Sequence, residues 1–566
     1  MNKLLIHHQN TILVEHQYFA KEEQFFFDVD SDISDVDFYI GEKLLQGDLR
    51  TKIDNCDLLF IKVALSTNYL EYSGIRLAYH IRLTKALGNK TYLPIVLIAE
   101  ESYQFLGLTY ELPQILFSNG IYLMKDNPDA LNKYIGLYET SKVKPLNDFD
   151  YFLSRLKILP PSNYQSHHSI ANEWSLLRWS EILKVKPTEA LFTVKQNVED
   201  LLYYKYLLIK NPLENEQPFN FKVYQNIGKV LYIDDEWDKG WNIVINHLLQ
   251  KIARNFQYST LEYSFKDSEQ SEILTACKEA IDKLDPDIVI LDLRLCDDDF
   301  YIDNATDKLS GYQVLKYIKN RNPGIQVIIF TASNKVWNLI ELQSAEADAF
   351  VLKDSPETYN GNVAISQSIN TFVNSIGIAA DRMFLKNLYS QCSHIQANLA
   401  MASADNNAEY DNFIAILKSK IKICQSTLKS ISLNKKSTVD VAFLSFYNFL
   451  ETFTQHYINY DHREYAYYMG VERKDFYNYS YNNGELRNKG KFTKEKNIEP
   501  SWSISLKALF IDYFQISSPP HKDISQLEKI QVQRNQFIHS TKENFEIGEL
   551  ISIVNLCKMA CSKLID

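Results

Sequence analysis

The stretch PDIVILDLRL (286–295) decides how the middle of this 566-residue chain is read. It is a continuous apolar run broken by one aspartate, Asp292, the pattern of a strand buried on both faces of a parallel sheet. Three comparable runs frame it: KVLYIDDE (229–236), IQVIIFTAS (325–333) and ADAFVLKDSPE (347–357), with helical periodicity between them. This alternation predicts a doubly wound α/β sheet, whose ligand site lies beyond the carboxyl ends of the strands. Asp234, Asp235, Asp292, Thr331 and Lys353 all fall at such ends and are expected to converge. Three carboxylates brought together repel one another unless a hard cation lies among them, and oxygen ligands suit Mg²⁺. A metal-bound carboxylate beside a lysine and a hydroxyl is equipped to accept and hold a phosphoryl group.

Over about 125 residues this segment resembles the response-regulator receiver domain. The resemblance implies that Asp292 is the phospho-acceptor and that Asp234, Asp235 and Asp292 form the Mg²⁺ site, Asp235 as a direct ligand and Asp234 largely through water. It also implies that Thr331 senses the phosphoryl group, that Lys353 pairs with it, and that Phe350 is the rotating aromatic switch. The implied partner is a histidine kinase or phosphotransfer protein. Two departures stand out. The loop RLCDDDFYIDNATDKLSG (294–311) is long and acidic, a feature that bears on partner choice, and Asp354 follows Lys353 where many receivers carry proline.

A weaker copy of the same pattern occupies the N-terminus. CDLLFIKVALSTNYLEYSGIRLAYHIR (56–82) lies over 286–319, LPIVLIAEES (93–102) over 325–333, and GIYLMKD (120–126) over 349–354. Lys62 stands at the acceptor position, Ala99 at that of Thr331, and His7 and His8 replace the acid pair; of the site residues, Lys125 alone is retained. A lysine cannot accept the phosphoryl group in this way, and its ammonium displaces Mg²⁺. Residues 1–127 therefore read as a degenerate receiver used for binding or dimerisation. Adjacent histidines on a strand point to opposite faces, so His7 and His8 are expected to be structural.

From 128 to 225 the pattern turns helical: Leu176, Trp179 and Leu183 make one apolar face. The C-terminal third is a run of helical segments (379–400, 408–432, 438–459, 501–515, 523–541 and 546–565), STVDVAFLSFYNFLETF (437–453) being apolar all round and so expected at the centre. The interruption at 461–497 interleaves tyrosines with Lys and Arg, which suits either single-stranded nucleic acid or an ordered insertion packed through its tyrosines. Near the end, VQRNQFIHSTKENF (532–545) contains Arg534, Asn535 and His539, with Asn535 and His539 on one helical face. This R-x4-H spacing in a helical domain resembles the motif of HEPN domains, bundles that are often dimeric, metal-independent ribonucleases. The resemblance implies His539 in acid/base work, Arg534 stabilising phosphate charge and Asn535 orienting either. RNA is then the substrate, with a role in stress or phage defence.

Composition sets the bounds. A formal net charge of −11 argues against wholesale coating of nucleic acid, yet from residue 380 onward Lys and Arg outnumber Asp and Glu by about three. Seven cysteines without C-x-x-C spacing fit a reduced compartment rather than a disulfide or zinc scaffold. No signal-peptide run occurs and no stretch of about eighteen apolar residues, so a cytoplasmic protein is expected. The expected architecture is two flavodoxin-like (βα)5 receivers, a helical connector and a C-terminal helical bundle. Its divisions are a degenerate receiver (1–127), connector (128–225), phospho-accepting receiver (226–376) and HEPN-like effector (377–566). The expected function is a homodimeric two-component response regulator controlling a ribonuclease. The alternatives are a non-catalytic, phosphorylation-dependent adaptor and a nucleic-acid-binding transcriptional regulator.

Overall fold

The computed structural model describes residues 2–8, 18–27, 33–45, 47–66, 71–140, 142–160, 167–212, 219–266, 268–301, 305–332, 346–353, 362–402, 408–431, 437–461, 466–469, 472–473, 477–482, 485–491, 501–515, 527–539 and 544–565. Two parallel sheets organise its first two thirds. The first contains β1 (Lys3–His7), β2 (Gln24–Phe26), β3 (Leu58–Lys62), β4 (Ile95–Ile98) and β5 (Ile121–Met124), ordered β2-β1-β3-β4-β5. The second contains β6 (Tyr224–Ile233), β7 (Ala253–Thr260), β8 (Ile288–Leu291), β9 (Gln326–Thr331) and β10 (Ala349–Leu352), ordered β10-β9-β8-β6-β7. The two topologies are identical, and in each the strand order reverses beside the first strand, which opens a crevice at the carboxyl ends.

The central strands β3 and β8 are buried along their whole length, as continuous apolar runs require. Neither β2 nor β7 was evident in the sequence. The strand β7 reads ARNFQYST, half polar, because it is an edge strand paired only with β6. A shared close approach ties the two copies together. A Cβ on Gly311 would fall 2.2 Å from the Asp292 carbonyl oxygen, and one on Gly74 would fall against the Lys62 carbonyl oxygen. The Gly74 N–H donates to Val63 O at 2.9 Å and the Gly311 N–H to Leu293 O at 3.1 Å. Glycine is thus required where each following helix starts against the end of the strand before it.

The helix Pro128–Glu139 lies in the segment the sequence reading gave to the connector, but its Leu131 is buried with Leu5, Phe60 and Val96 of the first sheet. The helices His167–Leu183, Glu189–Asp200 and Leu202–Lys210 follow. Trp174 and Trp179 are fully buried there, in one hydrophobic core that runs from the first sheet through these helices to the second.

The C-terminal region is a bundle. Helices Phe384–Met401, Ala408–Lys429, Ser437–Tyr457 and Ile547–Ser562 pack each on the next in a closed ring, with Trp502–Ala508 and Leu527–Ile538 beside them. Phe443, Phe446, Phe449, Leu450 and Phe453 bury the Ser437–Tyr457 helix, as its all-round apolar sequence required. The tyrosine-rich interruption forms antiparallel strands: Ile458–Asp461, Ala466–Met469 and Glu472–Arg473 in one group, Tyr477–Asn482 and Glu485–Lys491 in another. Tyr479 is buried there with its hydroxyl on Asp512, and Lys507 Nζ donates to Tyr479 O at 2.8 Å.

The bundle is fastened to the second sheet at the amino ends of its strands. Lys386 Nζ donates to Asp285 O at 2.7 Å and Asp287 Oδ1 at 3.1 Å, while Lys429 pairs with Glu346 at 2.6 Å. Asp287 directly precedes β8 and Glu346 stands just before β10. No described helix is long and apolar enough to cross a membrane.

Candidate functional site

The carboxyl ends of β6, β8, β9 and β10 bring together the five residues singled out at strand ends. Asp234 and Asp292 are fully buried, as are Thr331 and Lys353. Lys353 Nζ reaches Asp234 Oδ2 at 2.7 Å and Asp292 Oδ2 at 2.8 Å. A carboxylate oxygen from each of Asp234, Asp235 and Asp292 lies within 4.8 Å of the others. The remaining oxygens are held by the chain: Leu293 N–H donates to Asp292 Oδ1 at 2.5 Å, Glu236 N–H to Asp234 Oδ1 at 2.9 Å, and the Tyr232 hydroxyl to Asp234 Oδ2 at 2.7 Å. Asp235 differs. Its Oδ1 is buried without a hydrogen-bond partner.

The electrostatics follow from this crowding. Burial, then the neighbouring charges of Asp234, Glu236 and Asp292, push the Asp235 carboxyl well above the usual carboxylate range. Burial opposes the charge on Lys353, but Asp234 and Asp292 outweigh it and hold the ammonium protonated beyond the ordinary lysine range. One ammonium thus faces three carboxylates, one of them with an orphaned oxygen. That donor set, all hard oxygen and short of positive charge, fits a divalent cation such as Mg²⁺.

The floor of the site is aromatic. Lys353 Nζ lies 5.1 Å from the Phe330 ring centroid and 5.5 Å from that of Trp241. Trp179 meets Trp241 at 5.5 Å, Phe330 at 5.6 Å and Phe372 at 6.0 Å between centroids. Trp179 belongs to the helix His167–Leu183, so that helix touches the underside of the site. It touches the rim as well, since Asn172 donates to Glu236, which also holds Lys239 at 2.7 Å. None of Trp179, Trp241 or Asn172 was singled out as a site residue; Trp179 read only as one apolar helix face. Phe350 is half-buried and packs on the opposite face of the sheet.

The acidic loop after Asp292 is partly turned inward. Asp299 is buried and accepts from Leu295 N–H at 3.0 Å and Ser310 N–H at 3.0 Å, as well as from the Ser310 hydroxyl. It pins the loop rather than facing a partner. Asp354 lies outside the described residues.

In the first sheet, Lys62 at the acceptor position forms an ion pair with Asp126 and is buried, while the retained Lys125 is exposed. His7 and His8 are both buried, His7 with its ring 4.3 Å from that of Phe26.

In the bundle, Arg534, Asn535 and His539 lie on one helix and the turn that closes it. Arg534 stacks over the Tyr447 ring at 5.2 Å, approaches Glu451 at 3.7 Å and donates to Asn535 Oδ1 at 3.2 Å. Asn535 and His539 are exposed. Tyr447 and Glu451, almost ninety residues earlier, carried no signal as partners of the motif.

Two segments match known families. The family described as "Inactive Receiver domain" matches residues 8–124, and "Response regulator receiver domain" matches residues 249–359, a span that begins after Asp234 and Asp235. No curated protein matches the chain. Among solved structures, NtrX from Brucella abortus in complex with ADP is 15% identical, with 33% of this chain and 34% of that chain covered and a TM-score of 0.21. A LuxR-family two-component response regulator from Aurantimonas sp. SI85-9A1 is 15% identical, with 28% of this chain and 97% of that chain covered and a TM-score of 0.17. The chain thus spans about a third of the length of the NtrX structure it matches.

Proposed function

We propose that the protein is a response regulator that accepts a phosphoryl group on Asp292 from a histidine kinase or phosphotransfer protein. What carries this reading is the buried ammonium of Lys353 bridging Asp234 and Asp292 beside the orphaned oxygen of Asp235. In the transfer, an Asp292 oxygen forms the bond to phosphorus while the bond from phosphorus to the donor nitrogen breaks, and that nitrogen takes up a proton. Asp234, Asp235 and Asp292 would hold Mg²⁺, which neutralises charge on the transferring group. Lys353 then follows the new phosphoryl oxygens, and its departure from Asp234 is the local event that changes state. Thr331 and Phe350 report it on one face of the sheet, and Trp241 and Trp179 report it on the other.

The reading extends to an output. The C-terminal bundle acts as a HEPN-like ribonuclease on RNA in a homodimer, with His539 and Arg534 at the scissile phosphate and Asn535 orienting them, in a stress- or phage-defence setting. One observation favours a second output. Arg534 is already engaged by Tyr447 and Glu451, which suits a structural arginine in a non-catalytic adaptor bundle.

The acceptor is tested by intact mass after treatment with acetyl phosphate and Mg²⁺. The wild-type chain gains one phosphoryl mass and Asp292→Asn gains none. A gain that survives in Asp292→Asn removes the assignment.

A further inference from the structure

Tyr232 lies on β6 two residues before Asp234, which directly follows the strand, so the two side chains project to one face. The tyrosine is fully buried, in the core that also holds Trp241 and Phe330. Its hydroxyl donates to Asp234 Oδ2 at 2.7 Å and makes no other hydrogen bond among the described residues. A phenol stays protonated at neutral pH and a carboxylate only accepts, which fixes the direction of the bond.

That oxygen is shared. Lys353 Nζ reaches the same Asp234 Oδ2 at 2.7 Å, while Asp234 Oδ1 takes the Glu236 N–H at 2.9 Å. As the site stands, Oδ2 has two donors, and either one alone keeps it from being buried unpaired. The second donor matters once the ammonium leaves. A Lys353 that follows phosphoryl oxygens on Asp292 gives up Asp234 Oδ2. With the Tyr232 hydroxyl in place, each Asp234 oxygen still keeps one donor. Without it, Oδ2 is buried and charged with no donor from those neighbours, which is costly.

The first sheet supplies a comparison within the same chain. Leu5 pairs with Phe60, two residues before Lys62, just as Tyr232 pairs with Ile290, two residues before Asp292. Leu5 therefore holds the place of Tyr232, and His7 that of Asp234. Where the acceptor and the acid have been replaced, the hydroxyl is absent too, and Leu5 is as fully buried as Tyr232. An apolar side chain thus fills this place in the sheet, and the hydroxyl of Tyr232 answers to the acid beside it rather than to packing. We propose that Tyr232 is a positioning residue: it holds Asp234 when Lys353 turns to the phosphoryl group, and so favours the phosphorylated state over the unphosphorylated one. The proposal rests on Asp292 as the acceptor.

Beryllofluoride, a stable mimic of a phosphoryl group on a carboxylate, tests it when titrated with Mg²⁺ into the full chain and followed by the rise in melting temperature. Wild type is expected to respond and Asp292→Asn not to. Tyr232→Phe removes one oxygen and keeps the ring, and its affinity for beryllofluoride is expected to fall roughly tenfold or more. Affinity compares the loaded chain with the unloaded one. A hydroxyl that merely braced the strand in both states would lower both melting temperatures and leave the affinity as it was. An affinity in Tyr232→Phe equal to or above that of wild type would overturn this role and leave the acceptor standing. No response from wild type, or one that survives in Asp292→Asn, would remove the acceptor and this role together.

Discussion

Lys353 holds the strand ends of the second sheet together at the level of single atoms. Its ammonium sits 2.7 Å from one buried carboxylate and 2.8 Å from another, over two aromatic rings. Replacing it with methionine keeps the stem but leaves two buried aspartates unpaired, a change that typically costs about 3–5 kcal/mol. Lys353→Met is therefore expected to melt well below the parent, and added Mg²⁺ should recover part of the loss because the cation takes the place of the ammonium. A variant whose melting point is unaffected by the substitution would contradict the bridging role. This site was legible because an isolated acid, hydroxyl or lysine at the end of a buried apolar strand has few structural reasons to be there. Asp299 was not legible: an aspartate among acidic neighbours reads as solvated, and only the folded loop turns it onto Leu295 and Ser310. Arg534 was half legible, since its spacing to His539 is local whereas Tyr447 and Glu451 come from another helix.

At the scale of elements, the helix His167–Leu183 carries more than its sequence suggested. Its apolar stripe announced a packed face, but not that Trp179 would enter the aromatic group beneath Lys353. Trp179→Ala removes that ring, and large-to-small changes of this kind cost about 3–5 kcal/mol. The variant is expected to unfold at lower denaturant and to lose any dependence of the connector's hydrogen exchange on acetyl phosphate; unchanged dependence would exclude Trp179 from the path. A second seam joins the first unit to the connector. Asp37 accepts from Arg76 at 2.6 Å, from His80 Nε2 at 2.7 Å and from Leu202 N–H at 3.1 Å, while Lys205 donates to His80 Nδ1. A donor at Nδ1 requires His80 to be neutral, and burial first, then Lys205, lower its pKa from 6.5 to about 4. A lowered histidine pKa contributes stability above the unfolded value that is lost as pH falls through the folded one. The seam should therefore loosen between pH 6.5 and about 4. Exchange of the Leu202 amide is expected to accelerate over that window, and His80→Asn, which cannot titrate, should flatten the response. Edge strands such as β7 escaped the sequence reading because, with one neighbour, they carry no continuous apolar run.

The whole molecule has two poles. The carboxyl ends of the second sheet, with Asp292, meet the connector through Glu236 and Asn172, whereas the bundle is fastened at the amino ends through Lys386 and Lys429. Among the described residues, a change at Asp292 thus reaches the connector through Lys353, Trp241 and Trp179, and the bundle across the length of the sheet or along the Asn362–Arg382 helix, whose Phe372 touches Trp179 and Phe330. The bundle's output is separable by experiment. Wild type is expected to cleave labelled RNA to an extent that changes with acetyl phosphate, and His539→Ala to lose the cleavage; equal cleavage by both, or none by either, leaves the adaptor reading in place. The repeat of the receiver pattern was legible over whole strands, because apolar runs and the Gly74 and Gly311 approaches survive even where the chemistry has been replaced by Lys62 and Ala99. The central claim remains the acceptor itself. After acetyl phosphate and Mg²⁺, borohydride reduction converts an aspartyl phosphate to homoserine, and peptide mass mapping then locates it. The account predicts homoserine at position 292 and nowhere else; homoserine at Asp234, Asp235 or any other position, or none at all, would contradict it.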